Sequence, residues 1–139
     1  RAGDLEELDT TFERVRACFE AGALATGCDV SIEETSPRYS EFQNDDALAR
    51  HFHENARLVG RDMDYSESHA GGMNTASTDM GNVSRRVPAI HPYLSIDSLP
   101  AVNHQKEFAQ AAVTPAADVA VADGAFLLAC TAIDHIVTT

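Results

Sequence analysis

Positive charge is scarce in this chain: 10 Lys and Arg stand against 22 Asp and Glu, a formal charge of −12. No stretch gathers the few cations into a basic face, which argues against nucleic acid or an anionic membrane as partner. Cysteine is scarce too. Cys18, Cys28 and Cys130 are odd in number and none stands in CxxC spacing, which argues against a disulfide framework and against a thiolate zinc knuckle. Reduced cysteines fit a cytoplasmic setting. No apolar run is read here as reaching membrane-spanning length, and the first residues lack a signal-peptide pattern. Strands are also few. About three segments could pair as strands, below the roughly four to six of a usual sheet, and the chain opens on Arg1 with a helix starting at once. The chain therefore reads as the C-terminal part of a longer protein, or as one piece of a cut one.

What is present is helical at both ends. Asp4 with Glu7 forms a capping-box pattern, and Leu5, Leu8, Phe12, Val15 and Phe19 recur on one face until Gly27, where a left-handed stop costs little. Residues 29–34 alternate Val30 and Ile32 with polar neighbours and predict a strand. A loop with Pro37 follows, a candidate domain boundary. Asn44 is then placed to cap a second helix, with Leu48, Phe52, Ala56 and Val59 on one face until Gly60. His51 and His53 on that helix are two residues apart and cannot share a metal from one turn. Met63 and Tyr65 hint at a short strand. Near the end, Thr114 and Pro115 start a long helix. Its expected apolar stripe is Val119, Ala122, Phe126, Cys130, Ile133 and Val137, with Asp118 and Asp123 in water.

Residues 71–104 break the apolar periods and crowd small, turn-forming and ionisable residues together: GGMNTASTDMGNVSRRVPAIHPYLSIDSLPAVNH. Here the chemistry is expected. Gly71 and Gly72 open the stretch, Thr78 and Asp79 can cap a short turn through Asn82 and Val83, and VPAIHPYLSI reads as a buried strand holding His91. His104 closes it. Each piece has a plain reading: Asp79 as an N-cap, His91 as a strand-edge histidine, His104 as a surface residue. Spacing alone leaves those plain readings ahead, because a single histidine lacks the further ligands that a metal site needs.

The order of the pieces adds more. RVRACFEAGALATGC, STDMGNVSRRVPAIHPYLSI and NHQKEFAQAA, followed by an alanine-rich terminal helix, resemble the C-terminal half of M20-family metallo-amidohydrolases. The similarity is greatest to the branch of aminobenzoyl-glutamate hydrolase-like enzymes and M20 domain-containing dipeptidases, and it runs over essentially the whole chain. The resemblance implies an α/β fold: residues 1–36 as the last helix and strand of a ferredoxin-like lid that pairs two subunits, and residues 37–139 as the C-terminal part of a zinc-peptidase-like catalytic domain. It implies one or two divalent metals, zinc or manganese, and a glutamate as general base on a bridging water. Such a site lowers the water's pKa and polarises the scissile carbonyl.

Carried over residue by residue, the resemblance makes His104 the last metal ligand in chain order. Asp79 falls where related branches carry a serine–glutamate–aspartate–phenylalanine motif, and it would order the site without binding metal. Asn82, His91, Gly71 and Gly72 would line the site or stand near the substrate. The general base and the other ligands would lie upstream, so this chain alone is expected to be inactive. The partners implied are a small N-acyl amino acid or dipeptide, the missing N-terminal part, and a second subunit through the lid. A rival expectation from another class is a non-catalytic acidic module that binds a partner, since one probable ligand does not make a catalytic centre.

Overall fold

The computed structural model describes residues 2–63 and 77–138. The first helix, α1 (Leu5–Thr26), begins where its cap places it: the Asp4 side chain accepts the Glu7 N–H at 2.7 Å. The Glu7 carboxylate turns back to the Gly3 N–H at 2.6 Å, one residue before the cap, and so ties the incoming chain to the first turn. Gly27, at φ 70, ends the helix, and the Cys28 N–H returns to the Ala23 carbonyl at 3.0 Å. No residue of α1 is buried. Its apolar face is partly covered at Leu5, Leu8 and Phe12 and open from Val15 onward.

The second helix, α2 (Asp46–Leu58), is capped by Asp45 and not by Asn44, the Asp45 carboxylate accepting the Leu48 N–H at 2.9 Å. Three later helices follow: α3 (Met80–Ser84), α4 (Lys106–Ala111) and α5 (Pro115–Thr138). Thr114 and Pro115 start α5 as the sequence predicts, with Thr114 Oγ1 accepting the Ala117 N–H at 3.4 Å.

The α/β expectation is overturned. Among the described residues 56% are helical and none is in a strand. The segments expected as strands, 29–34 and 87–96, carry side chains that would suit one, but a strand exists only through backbone bonds to a neighbour, and the described residues supply no such ladder. Val30 and Ile32 are accordingly left exposed. The hint of a strand at Met63 and Tyr65 falls at Tyr65 outside the described residues, and Met63 packs on a helical core instead.

The chain divides into two compact units, Arg1–Gln43 with Ala76–Val87, and Asn44–Thr75 with Pro88–Thr139. In the first, Arg38 ties the segment after α1 back to that helix. It pairs with Asp9 and Glu34, and its guanidinium lies 5.4 Å from the centroid of the Phe12 ring. The second unit is built on the packing of α2 against α5. Phe52, Ala56 and Leu127 form its buried cluster, with Val59, Met63, Ile90 and Leu94 against it. The run 88–96 is held alongside by a bond from the Asp45 N–H to the Ala89 carbonyl at 2.9 Å.

α5 buries a different face from the one expected. Ala117, Ala120, Leu127 and Thr131 are inside, whereas Val119, Phe126, Ile133 and Val137 are 49–75% exposed. The helix is apolar nearly all round, so periodicity does not single out a side. Size does: small residues let another element approach closely, and at Gly124 an added Cβ would stand 3.3 Å from Leu94 Cδ1. Asp123, expected in water, is instead half-buried and ion-paired with Arg61 at 2.7 Å. α5 also corrects the expectation about membrane-spanning length, because by length and composition it is long and apolar enough to cross one.

Candidate functional site

The expected site residues fall into both units. In the first unit, Asp79 immediately precedes α3 and Asn82 lies within it, and this turn is a clamp on the segment 38–43. Gly81 lies so close to that segment that an added Cβ would meet the Ser40 carbonyl oxygen at 2.0 Å. Only glycine allows this approach. Asn82 then mimics a strand partner: its Oδ1 accepts the Ser40 N–H at 2.8 Å and its Nδ2 donates to the Arg38 carbonyl at 3.3 Å. Ser84 completes the grip, accepting the Gln43 N–H at 2.9 Å and donating to the Gly81 carbonyl at 2.7 Å. Arg85 adds an ion pair with Glu41.

Asp79 is not the N-cap that its plain reading made it. Its backbone is already helical at φ −62 and ψ −20, and its side chain makes no capping bond. Thr78 supplies the cap, its Oγ1 accepting the Met80 N–H at 3.3 Å and its carbonyl accepting the Gly81 N–H at 3.0 Å. The Asp79 carboxylate accepts from the Thr78 hydroxyl at 3.4 Å, and the residue is exposed.

His91 and His104 belong to the second unit. His91 is exposed, with its ring centroid 5.3 Å from that of Tyr93 at a tilt of 38°. His104 sits in the loop before α4. That loop has two left-handed residues that are not glycine, Asp97 at φ 58 and His104 at φ 67. Asp and His tolerate this region better than most residues, yet it remains strained for any side chain with a Cβ, and such strain gathers at sites that hold a side chain in place. Short bonds brace the loop: the Ala101 N–H to the Ser98 carbonyl at 2.8 Å, the Ser98 hydroxyl to the Ala101 carbonyl at 3.0 Å, and the Val102 N–H to Gln105 Oε1 at 3.0 Å. Beside it opens a shallow depression of about 490 Å³ lined by Ser98, Pro100, Ala101, Gln105 and Glu107.

Gly71 and Gly72 lie outside the described residues. Among the described residues no three His, Cys, Asp or Glu side chains converge as a metal would need. His104 is exposed and offers one imidazole donor, so these residues do not by themselves make up a divalent site. His51 and His53 are half-buried on α2, and His51 Nε2 lies 3.4 Å from the Thr138 hydroxyl.

Among the described residues, titration is perturbed at the Glu34–Arg38 pair. The Arg38 guanidinium bonds Glu34 and holds its carboxyl below the usual carboxylate range, and the same bonds raise Arg38 further. Ser40, Gln43, Gly81 and Ser84 were not singled out from the sequence. The one signal available was Gly81, a glycine inside a helical turn, which asks for a close backbone approach.

No protein-family model matches the chain, and no solved structure matches it. Two curated proteins do. The Xaa-Arg dipeptidase of Mus musculus is 37% identical over 136 residues, which is 98% of this chain and 31% of that protein. The Xaa-Arg dipeptidase of Homo sapiens is 36% identical over the same extent. The chain thus spans about a third of the length of these relatives, and the similarity runs along nearly all of its own length.

Proposed function

We propose that this chain is the C-terminal portion of an M20-type, metal-dependent dipeptidase that hydrolyses the peptide bond of a dipeptide. The observation that carries the reading is the 37% identity along 98% of the chain to a protein named Xaa-Arg dipeptidase. Dipeptides ending in arginine are the substrate class that follows from the relatives' names.

In this reading His104 supplies one imidazole to a divalent ion, zinc or manganese. The strained backbone at φ 67 supports that role, because it fixes the direction in which the imidazole leaves the loop. His91, in the same unit as His104, lines the site, while Asp79 and Asn82 order the backbone of their own unit. The remaining ligands and the general base come from outside this chain, which alone is inactive. A homodimeric, cytoplasmic enzyme belongs to the same proposal.

The test is arginine release from Ala-Arg by the full-length enzyme, with Ala-Glu and N-acetyl-arginine as comparison substrates, before and after dialysis against a chelator. Release from Ala-Arg that chelation abolishes and Zn²⁺ or Mn²⁺ restores is the expected result. Absence of hydrolysis across all three substrates overturns the proposal in favour of a non-catalytic acidic binding module.

A further inference from the structure

We infer that the depression beside the His104 loop is the recognition site for the C-terminal arginine of the dipeptide, with Glu107 reading the guanidinium and the Gln105 amide reading the α-carboxylate; this rests on the dipeptidase reading above. The depression is lined by Ser98, Pro100, Ala101, Gln105 and Glu107, and its volume of about 490 Å³ has room for a side chain as long as arginine. Two of the five side chains, Glu107 and Gln105, offer groups of opposite kinds.

Glu107 is in the first turn of α4, and among the described residues its carboxylate makes no hydrogen bond or ion pair, Lys106 beside it included. A carboxylate is the group that a planar guanidinium binds through two parallel bonds. Gln105 is oriented unambiguously. Its Oε1 accepts the Val102 N–H at 3.0 Å, which only the oxygen can do, so the amide nitrogen faces the other way with both protons uncommitted among the described residues. The Ser98 hydroxyl has spent its proton on the Ala101 carbonyl and keeps only acceptor capacity.

A carboxylate and an amide donor lining one depression suit the two kinds of group on an arginine residue whose α-carboxylate is free, as it is at the end of a dipeptide. The −12 formal charge of the chain favours the cationic ligand over an acidic one before any contact forms. The loop that positions the wall is the same strained loop that presents His104, so recognition of the arginine and placement of the neighbouring peptide bond would share one rigid support.

The experiment is a nuclear magnetic resonance titration of the full-length protein with Ala-Arg, turnover being blocked by chelation, following the amides of residues 98–107, because it reads binding and requires no catalysis. Ala-citrulline is the comparison, being nearly isosteric with the guanidinium replaced by a neutral urea. The expected result is saturable shifts confined to this loop with Ala-Arg, and binding weaker by about tenfold or more for Ala-citrulline and for Glu107→Gln, as the loss of a charge-assisted bond implies. Equal binding of Ala-Arg and Ala-citrulline to the unaltered chain, or no shift at 98–107, overturns the inference whether or not any variant folds. Loss of hydrolysis in the full-length enzyme with these shifts intact would count against the dipeptidase reading alone.

Discussion

Gly81 is the residue whose identity the surrounding structure restricts most. A methyl group there would overlap the Ser40 carbonyl oxygen, which belongs to backbone and cannot swing aside. Gly81→Ala should therefore destabilise the first unit by about 1–3 kcal/mol, as overpacking of close contacts does, measured as a lowered urea midpoint at unchanged slope. Ser84→Ala should cost about 1–2 kcal/mol in the same assay, because it leaves the Gln43 N–H without its acceptor. Glu34 gives a pH-dependent prediction. Its folded pKa is depressed by Arg38, so the pair's contribution is present above the ordinary value of 4.5 and is lost as pH falls through the lower folded value. Glu34 is exposed and Arg38 only half-buried, so the effect on stability should be small and salt-sensitive. It should appear as a change in the Arg38 Nε–H resonance that begins below the ordinary carboxylate range and is absent in Glu34→Gln.

Helix ends were the most legible elements, because caps are local. Asp4, Gly27, Thr114 and Pro115 mark in sequence the boundaries that α1 and α5 have in the structure. Asn44 was placed one residue too early, since Asp45 caps equally well and its carboxylate is the one that reaches the Leu48 N–H. Strands were illegible for the opposite reason. Val30 and Ile32 alternate as a strand's residues do, but pairing depends on a neighbour that a local pattern cannot supply. The buried face of α5 was equally hidden, because apolar residues surround the helix and the choice among faces is made by Leu94 beside Gly124 and by Phe52 and Ala56 on α2. Leu127, fully buried in that contact, is the test of it. Leu127→Ala should cost about 2–5 kcal/mol, against less than about 0.5 for the exposed Val137→Ala, in thermal or urea unfolding.

For the molecule as a whole, composition and order carried the functional reading further than geometry did. The two phrases with the most chemistry in sequence, TDMGNVS and the run ending in His104, lie in different compact units. The first proves to be a backbone clamp through Gly81, Asn82 and Ser84, a role that spacing could not distinguish from site lining. His104 was legible as a histidine that packing does not require, yet the left-handed backbone that sets it apart is visible only in the structure. The apolar side chains left open on α1 and α5, Phe19, Phe126, Ile133 and Val137 among them, should make the isolated 139-residue chain self-associate at micromolar concentration in sedimentation, a tendency that added lysines on α5 should suppress. The proposal that stands furthest from direct observation is His104 as a ligand of a divalent ion. The most direct measurement is metal content together with arginine release from Ala-Arg in the full-length enzyme carrying His104→Asn, a change that keeps a residue tolerant of the left-handed backbone while removing the imidazole. Loss of activity together with a fall in bound metal is the expected result; full activity with undiminished metal would overturn the role of His104.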